Sequence, residues 1–263
     1  MEIMNNLILG SSGFVGTYLC NYLKKKGEVV IEYDISNDPS QDCRSAQLPL
    51  SGIDRVYFLA WKVGGSNYLY DPKTQQEQLE WNSKLLMNCM SQLKNIPFVF
   101  VSSQLAENNN TIYGVLKKIG EHWSELNNGV AVRLWNVYGS YEDQTIKSHV
   151  VADFIHQAIN NKKIIMQTNG NEKRQFIYIE DVCDALYNSF NCKGLFDAST
   201  LQWNSIYDVA EIISKYTNCE IITGNNKGSS LIIKNKPLVI NWQSKINLDE
   251  GLKRTIKLFM DKK

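Results

Sequence analysis

Residues 5–16 have the sequence NNLILGSSGFVG, a short apolar run followed by three glycines spaced three apart. Residues 18–23 then repeat apolar side chains at helical spacing, so the pattern predicts a strand, a tight turn and a helix. In such a turn Gly10 lets the backbone reverse, Gly13 lets a diphosphate approach the helix N-terminus, and Gly16 lets helix and strand pack closely. A glycine turn without a ligand is the alternative, and the rest of the chain has to decide between the two.

Length and charge narrow the class of protein. The 263 residues suffice for one large α/β domain or for a main domain with a smaller partner. With 28 basic and 27 acidic residues the net charge is +1, which argues against a surface that binds DNA or RNA. We therefore expect a small-molecule site with local charge and no nucleic-acid partner.

The cysteines predict a cytoplasmic protein, and the histidines give no sign of a metal site. The six cysteines form no CxxC pair, and the N-terminus lacks a charged region followed by a long apolar one, so we expect reduced thiols and no secretion. His122, His149 and His156 lack the spacing of a zinc site. No apolar run approaches the roughly 20 residues of a membrane span. Neither a metal site nor a membrane partner is expected.

Residues 29–34, VVIEYD, predict a second strand that ends on an acid 24 positions after Gly10. A carboxylate there can accept hydrogen bonds from both hydroxyls of an adenosine ribose, and it would repel a 2′-phosphate. Asp34 could instead be an acid that merely ends a strand. Beside the glycine turn, the ribose interpretation is favoured, and it predicts NAD rather than NADP.

The middle of the chain alternates strands and helices. Residues 55–60 predict a third strand, and the loop 61–65 that follows it lies at the strand's carboxyl end, where open α/β sheets bind ligands. Residues 74–94 predict a long helix. Its apolar stripe is expected to be core rather than site, and comprises Leu79, Leu85, Leu86, Met87, Met90 and Leu93.

Residues 97–101 predict a strand buried on both faces, and it runs into Ser102 and Ser103. Tyr113 and Lys117 follow at a spacing of four, which puts them on one face of a helix. A free tyrosine has a pKa near 10, but a fixed ammonium and an oxidised nicotinamide would both favour the phenolate and make proton transfer useful. Ser103 could hold a substrate hydroxyl toward Tyr113. In isolation, a packed Tyr and a solvated Lys would explain the pair better.

These motifs together resemble the extended short-chain dehydrogenase/reductase family of NAD-dependent nucleotide-sugar epimerases, dehydratases and ketoreductases. The resemblance covers nearly the whole chain. Its elements are the GxxGxxG turn at 10–16, Asp34, Ser103, the YxxxK pair of Tyr113 and Lys117, RLWNVYG at 133–139 and RQFIYIEDV at 174–182.

The resemblance implies a role for individual residues. The implied catalytic residues are Ser103, Tyr113 and Lys117. The implied cofactor-binding residues are Gly10, Gly13, Phe14, Val15, Gly16, Asp34, Asp42, Cys43, Leu59, Ala60, Lys62, Tyr113 and Lys117. The implied substrate-binding residues are Ser103, Gln104, Asn136 and Arg174, of which Arg174 would hold the diphosphate of a nucleotide-sugar substrate. The family also pairs subunits through a four-helix bundle, which implies a homodimer built on the helices at 74–94 and 112–127.

Three departures from the family pattern limit the reaction. Only ten positions separate Ser103 from Tyr113, a short loop that resembles the arrangement in the family's inverting UDP-GlcNAc 4,6-dehydratases. Gln104 and Leu105, however, stand where those dehydratases carry an acid and a base, so elimination of water is disfavoured. The loop 61–65 is similar to that of the family's GDP-fucose-forming epimerase-reductases, which keeps a reductive function open, although those enzymes use NADPH. The stretch 228–243 lacks the family's arginine near the nucleotide, so the base of the substrate cannot be assigned from it.

The predicted fold is α/β, a Rossmann-type doubly wound parallel sheet with a smaller C-terminal α/β substrate lobe. Residues 1–138 and 175–200 would form the NAD-binding domain, with a late strand at 194–198, and residues 139–174 and 201–263 the substrate-binding lobe. The predicted function is an NAD-dependent nucleotide-sugar epimerase, at C4 and through a transient 4-keto sugar, in surface polysaccharide or deoxysugar synthesis. An NAD(P)H-dependent 4-keto-sugar reductase is the first alternative, and a non-catalytic nucleotide-sensing Rossmann protein is the second.

Overall fold

The computed structural model describes residues 3–108, 110–142 and 149–262. In chain order the strands are β1 (Asn5–Leu9), β2 (Val29–Tyr33), β3 (Arg55–Phe58), β4 (Phe98–Ser103), β5 (Val130–Leu134), β6 (Asn136–Tyr138), β7 (Lys163–Ile165), β8 (Lys173–Arg174), β9 (Phe176–Tyr178), β10 (Gly194–Ala198), β11 (Asn204–Ser205) and β12 (Glu220–Ile222). The helices are α1 (Phe14–Lys25), α2 (Ser66–Leu69), α3 (Pro72–Gln92), α4 (Ile112–Leu126), α5 (Val150–Asn161), α6 (Ile179–Asn188), α7 (Ile206–Thr217) and α8 (Leu248–Asp261).

The central sheet has six parallel strands in the order β10-β5-β4-β3-β1-β2. Leu9 at the end of β1 pairs with Tyr33 of β2 on one side and with Phe58 of β3 on the other. The chain thus leaves β1 toward one edge and returns to its other side, which creates the switch point where doubly wound sheets bind ligands. The predicted Rossmann-type sheet is confirmed, and so is the late strand at 194–198.

Side chains of the sheet alternate between two hydrophobic layers. Leu7 and Leu9 of β1 face the layer that contains Leu85 and Met90 of α3, whereas Ile8 faces the opposite layer, in which α1 and α6 pack. Every residue of β4 and β5 is buried, as expected of parallel strands covered on both faces. The two layers keep the sheet rigid beneath the strand ends.

The prediction that the whole apolar stripe of α3 is core was wrong at two positions. Leu85, Leu86, Met90 and Leu93 are buried, but Leu79 is 43% exposed and Met87 61% exposed. Because these two residues are eight positions apart, they lie on the same side of the helix, the side turned away from the sheet.

Local capping explains where several helices begin. The Asp71 carboxylate accepts a hydrogen bond from the backbone N–H of Lys73, with Pro72 as the first residue of α3. Thr111 caps α4 in the same way, and Ser205 forms a capping box with Asp208 at the start of α7. These caps place each helix within a few residues of its predicted bounds.

The shorter strands form three two-stranded sheets, β11-β8, β12-β7 and β6-β9, which lie with α5, α7 and α8 beyond the strand ends. Residues 143–148 of the predicted substrate lobe lie outside the described residues. The division of the chain into two domains stays a prediction. Among the residues that the structure describes, no helix combines the length and the apolar character that crossing a membrane requires.

Candidate active site

A cleft of about 880 Å³ opens at the carboxyl ends of the sheet strands. It brings together every residue that was predicted for the cofactor, the catalysis and the substrate, and the roles of these residues stay predictions. The residues are Gly10, Gly13, Phe14, Val15, Gly16, Asp34, Asp42, Cys43, Leu59, Ala60, Lys62, Ser103, Gln104, Tyr113, Lys117, Asn136 and Arg174.

The glycine turn between β1 and α1 is too tight for side chains. Gly10 has a φ of +89°, and a Cβ there would lie 2.6 Å from the backbone nitrogen of Ala60. A Cβ on Gly16 would lie 2.1 Å from the carbonyl oxygen of Gly10. The first turn of α1 contains no acidic residue, so its amides, including those of Phe14 and Val15, present an uncompensated positive helix end to the cleft. These features fit a dinucleotide diphosphate.

Asp34 lies directly after β2 with its carboxylate fixed by backbone amides. Oδ2 accepts a hydrogen bond from the N–H of Ser12 at 3.0 Å, and Oδ1 accepts one from the N–H of Ser36 at 2.8 Å. Each oxygen keeps a second lone pair that can accept a hydrogen bond from a ribose hydroxyl. The negative charge beside the glycine turn fits a ribose that carries no phosphate.

The part of the cleft beside Asp42 contains a stack that the sequence did not predict. The guanidinium carbon of Arg44 lies 3.5 Å from the ring centroid of Trp81, and Lys62 Nζ lies 4.2 Å from it. Lys62 also forms an ion pair with Glu77. Asp42, one of the implied cofactor-binding residues, forms an ion pair with Arg44 at 2.6 Å, and this contact holds the pKa of its carboxyl below the usual range.

Ser103 ends β4 and caps the short 3₁₀ helix formed by residues 104–107. Its hydroxyl accepts a hydrogen bond from the N–H of Leu105 at 3.2 Å and donates one to Oε1 of Gln104 at 3.1 Å. Tyr113 and Lys117 lie one turn apart on α4, and both are buried. The predicted catalytic residues therefore share one wall of the cleft.

Burial shifts the pKa values of both titratable residues of this wall. Burial raises the pKa of Tyr113 to about 12, although a hydrogen bond with Ser103 opposes the shift. Burial also holds the pKa of Lys117 well below its usual value, against the charge of Glu121. Lys117 Nζ donates to the carbonyl of Val101 at 2.7 Å and lies 5.8 Å from the Tyr113 ring centroid. The expectation that a fixed ammonium and an oxidised nicotinamide together favour the Tyr113 phenolate stays a prediction, and in the protein alone desolvation favours the protonated tyrosine.

Asn136 and Arg174, the two remaining predicted substrate residues, also line the cleft. The backbone N–H and the side-chain amide of Asn136 both donate to the carbonyl of Gln175 at 3.1 Å. Arg174 is half-buried and donates from Nη1 to the carbonyl of Lys173 at 2.8 Å. Lys236, one of the two lysines in the stretch that lacks the family's arginine, is 3.6 Å from Glu107. Lys236 therefore pairs with the 3₁₀ helix that follows Ser103.

Sequence reasoning assigned no role to four tryptophans that line the cleft, which are Trp61, Trp81, Trp135 and Trp203. Two of them had a usable signal. Trp61 closely follows β3 and Trp135 directly follows β5, at the same edge of the sheet that identified Ser103. Elsewhere in the described ranges, no three His, Cys, Asp or Glu side chains are grouped as a metal site would require.

Comparison with known proteins identifies a matching family and a relative. The model of the NAD dependent epimerase/dehydratase family matches residues 6–191. A putative UDP-glucose 4-epimerase of Methanocaldococcus jannaschii is 28% identical over 158 residues, which cover 55% of this chain and 52% of that protein, so the match spans about half of the relative's length.

Two solved structures share the fold. Epimerase Mth375 from Methanothermobacter thermautotrophicus superposes with a TM-score of 0.84 at 19% identity, over 99% of this chain and 93% of the other. MoeE5, solved in complex with UDP-glucuronic acid and NAD, gives a TM-score of 0.79 at 19% identity, over 98% of this chain and 100% of the other.

Proposed function

This chain belongs to the NAD-dependent epimerase/dehydratase family, and on that basis we propose that it is a nucleotide-sugar epimerase that acts at C4 through a transient 4-keto sugar. UDP-sugars are the first substrates to test. The choice of UDP-sugars is supported by the relative named as a putative UDP-glucose 4-epimerase and by MoeE5, which was solved with UDP-glucuronic acid.

One observation carries the proposal. Ser103, Tyr113 and Lys117 line one wall of the cleft, while Gln104 and Leu105 occupy the next two positions of the loop. The wall therefore offers a hydroxyl proton donor and acceptor, but an amide and an apolar side chain where elimination needs an acid and a base. This set of groups suits a reaction that moves a hydride and a hydroxyl proton and leaves the rest of the sugar intact.

NAD is the cofactor that the glycine turn and Asp34 would hold, and when bound it supplies reversible hydride transfer. The amides at the start of α1 would bind its diphosphate, and Asp34 its adenosine ribose. Lys117 and Tyr113 would contact the nicotinamide end of the cleft.

Tyr113 Oη takes the proton of the C4 hydroxyl during oxidation and gives it back during reduction. The Ser103 hydroxyl orients the same oxygen toward Tyr113. Because burial raises the pKa of Tyr113 to about 12, the protonated form prevails at neutral pH, which is the form that donates to a 4-keto oxygen. The oxidation half of the cycle needs a positive charge close by, and Lys117 is placed to provide it. Turning of the 4-keto sugar before reduction then gives the epimer.

The test is a substrate panel. UDP-, GDP-, CDP- and dTDP-hexoses are incubated with the protein and catalytic NAD, without a reductant, and the products are identified by NMR. We expect interconversion of C4 epimers of at least one sugar and none with Tyr113→Phe. No interconversion in the panel, together with reduction of a nucleotide 4-keto sugar in proportion to added NAD(P)H, would instead establish a reductase.

A 4-keto-sugar reductase is the second candidate, favoured by the loop after β3. Asn82 on α3 accepts from the N–H of Lys62 at 2.8 Å and donates to its carbonyl at 3.0 Å, so the loop is fixed at the cleft in one conformation. Turnover of a nucleotide 4-keto sugar with NADH, by protein that does not interconvert epimers, would support it. A nucleotide-sensing protein without catalysis is the third candidate, and it predicts that Tyr113→Phe leaves every measured property unchanged.

We also propose a homodimer and a cytoplasmic location. Leu79 and Met87 of α3 and Ile119 and Leu126 of α4 are exposed apolar residues on the two helices that would form the bundle. The six cysteines are buried free thiols, which suits a reducing compartment. A role in surface polysaccharide or deoxysugar synthesis would follow from the substrate class.

A further inference from the structure

Lys117 carries its amino group into an enclosed position between two strand ends. Its side chain is 3% exposed, and Nζ donates to the carbonyl of Val101 at 2.7 Å. The indole of Trp61 lies over the same nitrogen, with 3.7 Å between Nζ and the ring centroid. The ring of Phe100 is farther away, at 4.9 Å. Trp61 thus provides the closest aromatic face to the Lys117 amine among the described residues.

The indole is held in this place from several sides. Its ring packs edge-on against Phe100, with 5.9 Å between centroids. It also packs against the cluster of Tyr68, Leu69 and Tyr113. The next residue of the loop is fixed by the reciprocal amide contacts of Asn82 with the backbone of Lys62. Trp61 is therefore a fixed part of the wall that carries Tyr113.

An aromatic face distinguishes an ammonium from a neutral amine. The negative face of the ring attracts a cation, most strongly where water is excluded, and gives much less to the uncharged form. Burial acts in the opposite direction on Lys117. The Val101 carbonyl and the Glu121 carboxylate also favour the ammonium, and the face of the Trp61 ring adds to their effect.

We propose that Trp61 is a positioning residue that keeps the Lys117 side chain in its ammonium form beside Tyr113. The inference rests on the proposed function only for its catalytic consequence. The titratable groups that act on Lys117 are Tyr113 and Glu121, both from α4. From β4 it meets the Val101 carbonyl and the Phe100 ring, and from the loop after β3 the Trp61 ring. Removal of the indole changes neither a charge nor the backbone.

The test measures the protonation of Lys117 directly and without substrate. Protein labelled with [ε-¹³C]lysine is titrated by NMR, and the Lys117 signal is identified by its loss in Lys117→Met. We expect Trp61→Leu to lower the titration midpoint by about one pH unit, and Trp61→Phe, which keeps a weaker ring face, to lower it by less. Trp123→Leu, a change on α4 outside the cleft, is the matched control and should leave the midpoint unchanged.

The direction of the shift separates this role from a packing role. If Trp61 only excluded water, its removal would hydrate Lys117 and raise the midpoint. A midpoint that is unchanged or raised in Trp61→Leu overturns the proposal. If circular dichroism shows that Trp61→Leu does not fold, the titration midpoint of Trp61→Phe decides instead: a lowered midpoint supports the proposal, and an unchanged or raised one overturns it. A lowered midpoint in a protein without epimerase activity would support the role of Trp61 while contradicting the proposed function.

Discussion

The guanidinium of Arg133 binds both carboxylate oxygens of Glu121, with Nε 2.6 Å from Oε1 and Nη2 2.7 Å from Oε2. Arg133 is 1% exposed and reaches a second carboxylate, that of Glu107, at 2.7 Å. It therefore joins three parts of the wall: β5, the helix that carries Tyr113, and the 3₁₀ helix that follows Ser103. Removing one partner of such a buried ion pair leaves an uncompensated charge.

Replacement of Arg133 by Met should lower the free energy of unfolding by about 3–5 kcal/mol, because the carboxylate of Glu121 loses its buried partner. Chemical denaturation measures the change. Lys118 is one-third exposed and lies 3.6 Å from Glu107 and 3.5 Å from Glu121, and Lys118→Met should cost less than about 1 kcal/mol. If Arg133→Met is no more destabilising than Lys118→Met, the network does not hold the wall together.

The variant Arg133→Met/Glu121→Gln should be less destabilised than the sum of its single substitutions, because each single change strands the other partner. The difference is the coupling energy of the pair. Strict additivity would show that the two residues act independently, despite their contact.

Asp34→Ala should weaken binding of NAD by about tenfold or more, because it removes hydrogen bonds between a carboxylate and ribose hydroxyls. It should also reduce the preference for NAD over NADP, since the repulsion of a 2′-phosphate is lost. Isothermal titration with both cofactors measures this. Asp38→Ala, an exposed cap of a short 3₁₀ helix, is the control. Equal NAD affinity in both variants would contradict the assignment of Asp34.

The contact between His149 at the cleft and Glu142 predicts a contribution to stability that depends on pH. Burial lowers its pKa, but the hydrogen bond and charge of Glu142, 2.9 Å away, outweigh this and raise the pKa above 6.5. A raised folded-state pKa means that the contact stabilises the fold fully below the unfolded pKa and that this stabilisation is lost as pH rises through the folded one. NMR titration of the ring should show a lower midpoint in Glu142→Gln. An unchanged midpoint would exclude Glu142 as the cause.

The homodimer predicts a concentration-dependent mass. Leu126, 81% exposed on α4, and Met87 on α3 would be buried in the bundle. Sedimentation should give a dimer for the native chain and a monomer for Met87→Lys/Leu126→Lys, with the fold retained because both side chains face solvent in the subunit. A native chain that is monomeric at tens of micromolar would contradict the bundle.

Local sequence signals were sufficient for the fold and for much of the cleft. The spacing of Gly10 and Gly16 predicts the turn, because a turn this close to the neighbouring backbone leaves no room for a Cβ at either position. The placement of Ser103 and Asp34 follows from a rule about strand ends. Both arguments need only neighbours in the chain or a general property of sheets.

What the sequence could not give depends on distances between elements. Trp61 and Lys117 are 56 positions apart, and nothing in their spacing predicts that the indole covers the amine. The exposure of Met87 depends on which side of α3 packs against the sheet. The apolar stripe of α3 is wider than the surface that the sheet covers, so the sequence does not show which apolar residues are buried. The raised pKa of Tyr113 likewise depends on tertiary burial rather than on Lys117 being four residues away.

The most direct test of the account follows the hydrogen at C4. UDP-glucose deuterated at C4 is incubated with the protein and catalytic NAD in ordinary water, and the product is analysed by NMR. The account predicts UDP-galactose that retains the deuterium at C4, because the abstracted hydride returns to the same carbon, and a rate at least about 100-fold lower with Tyr113→Phe. Epimerised product without the deuterium, or an equal rate with Tyr113→Phe, would contradict it.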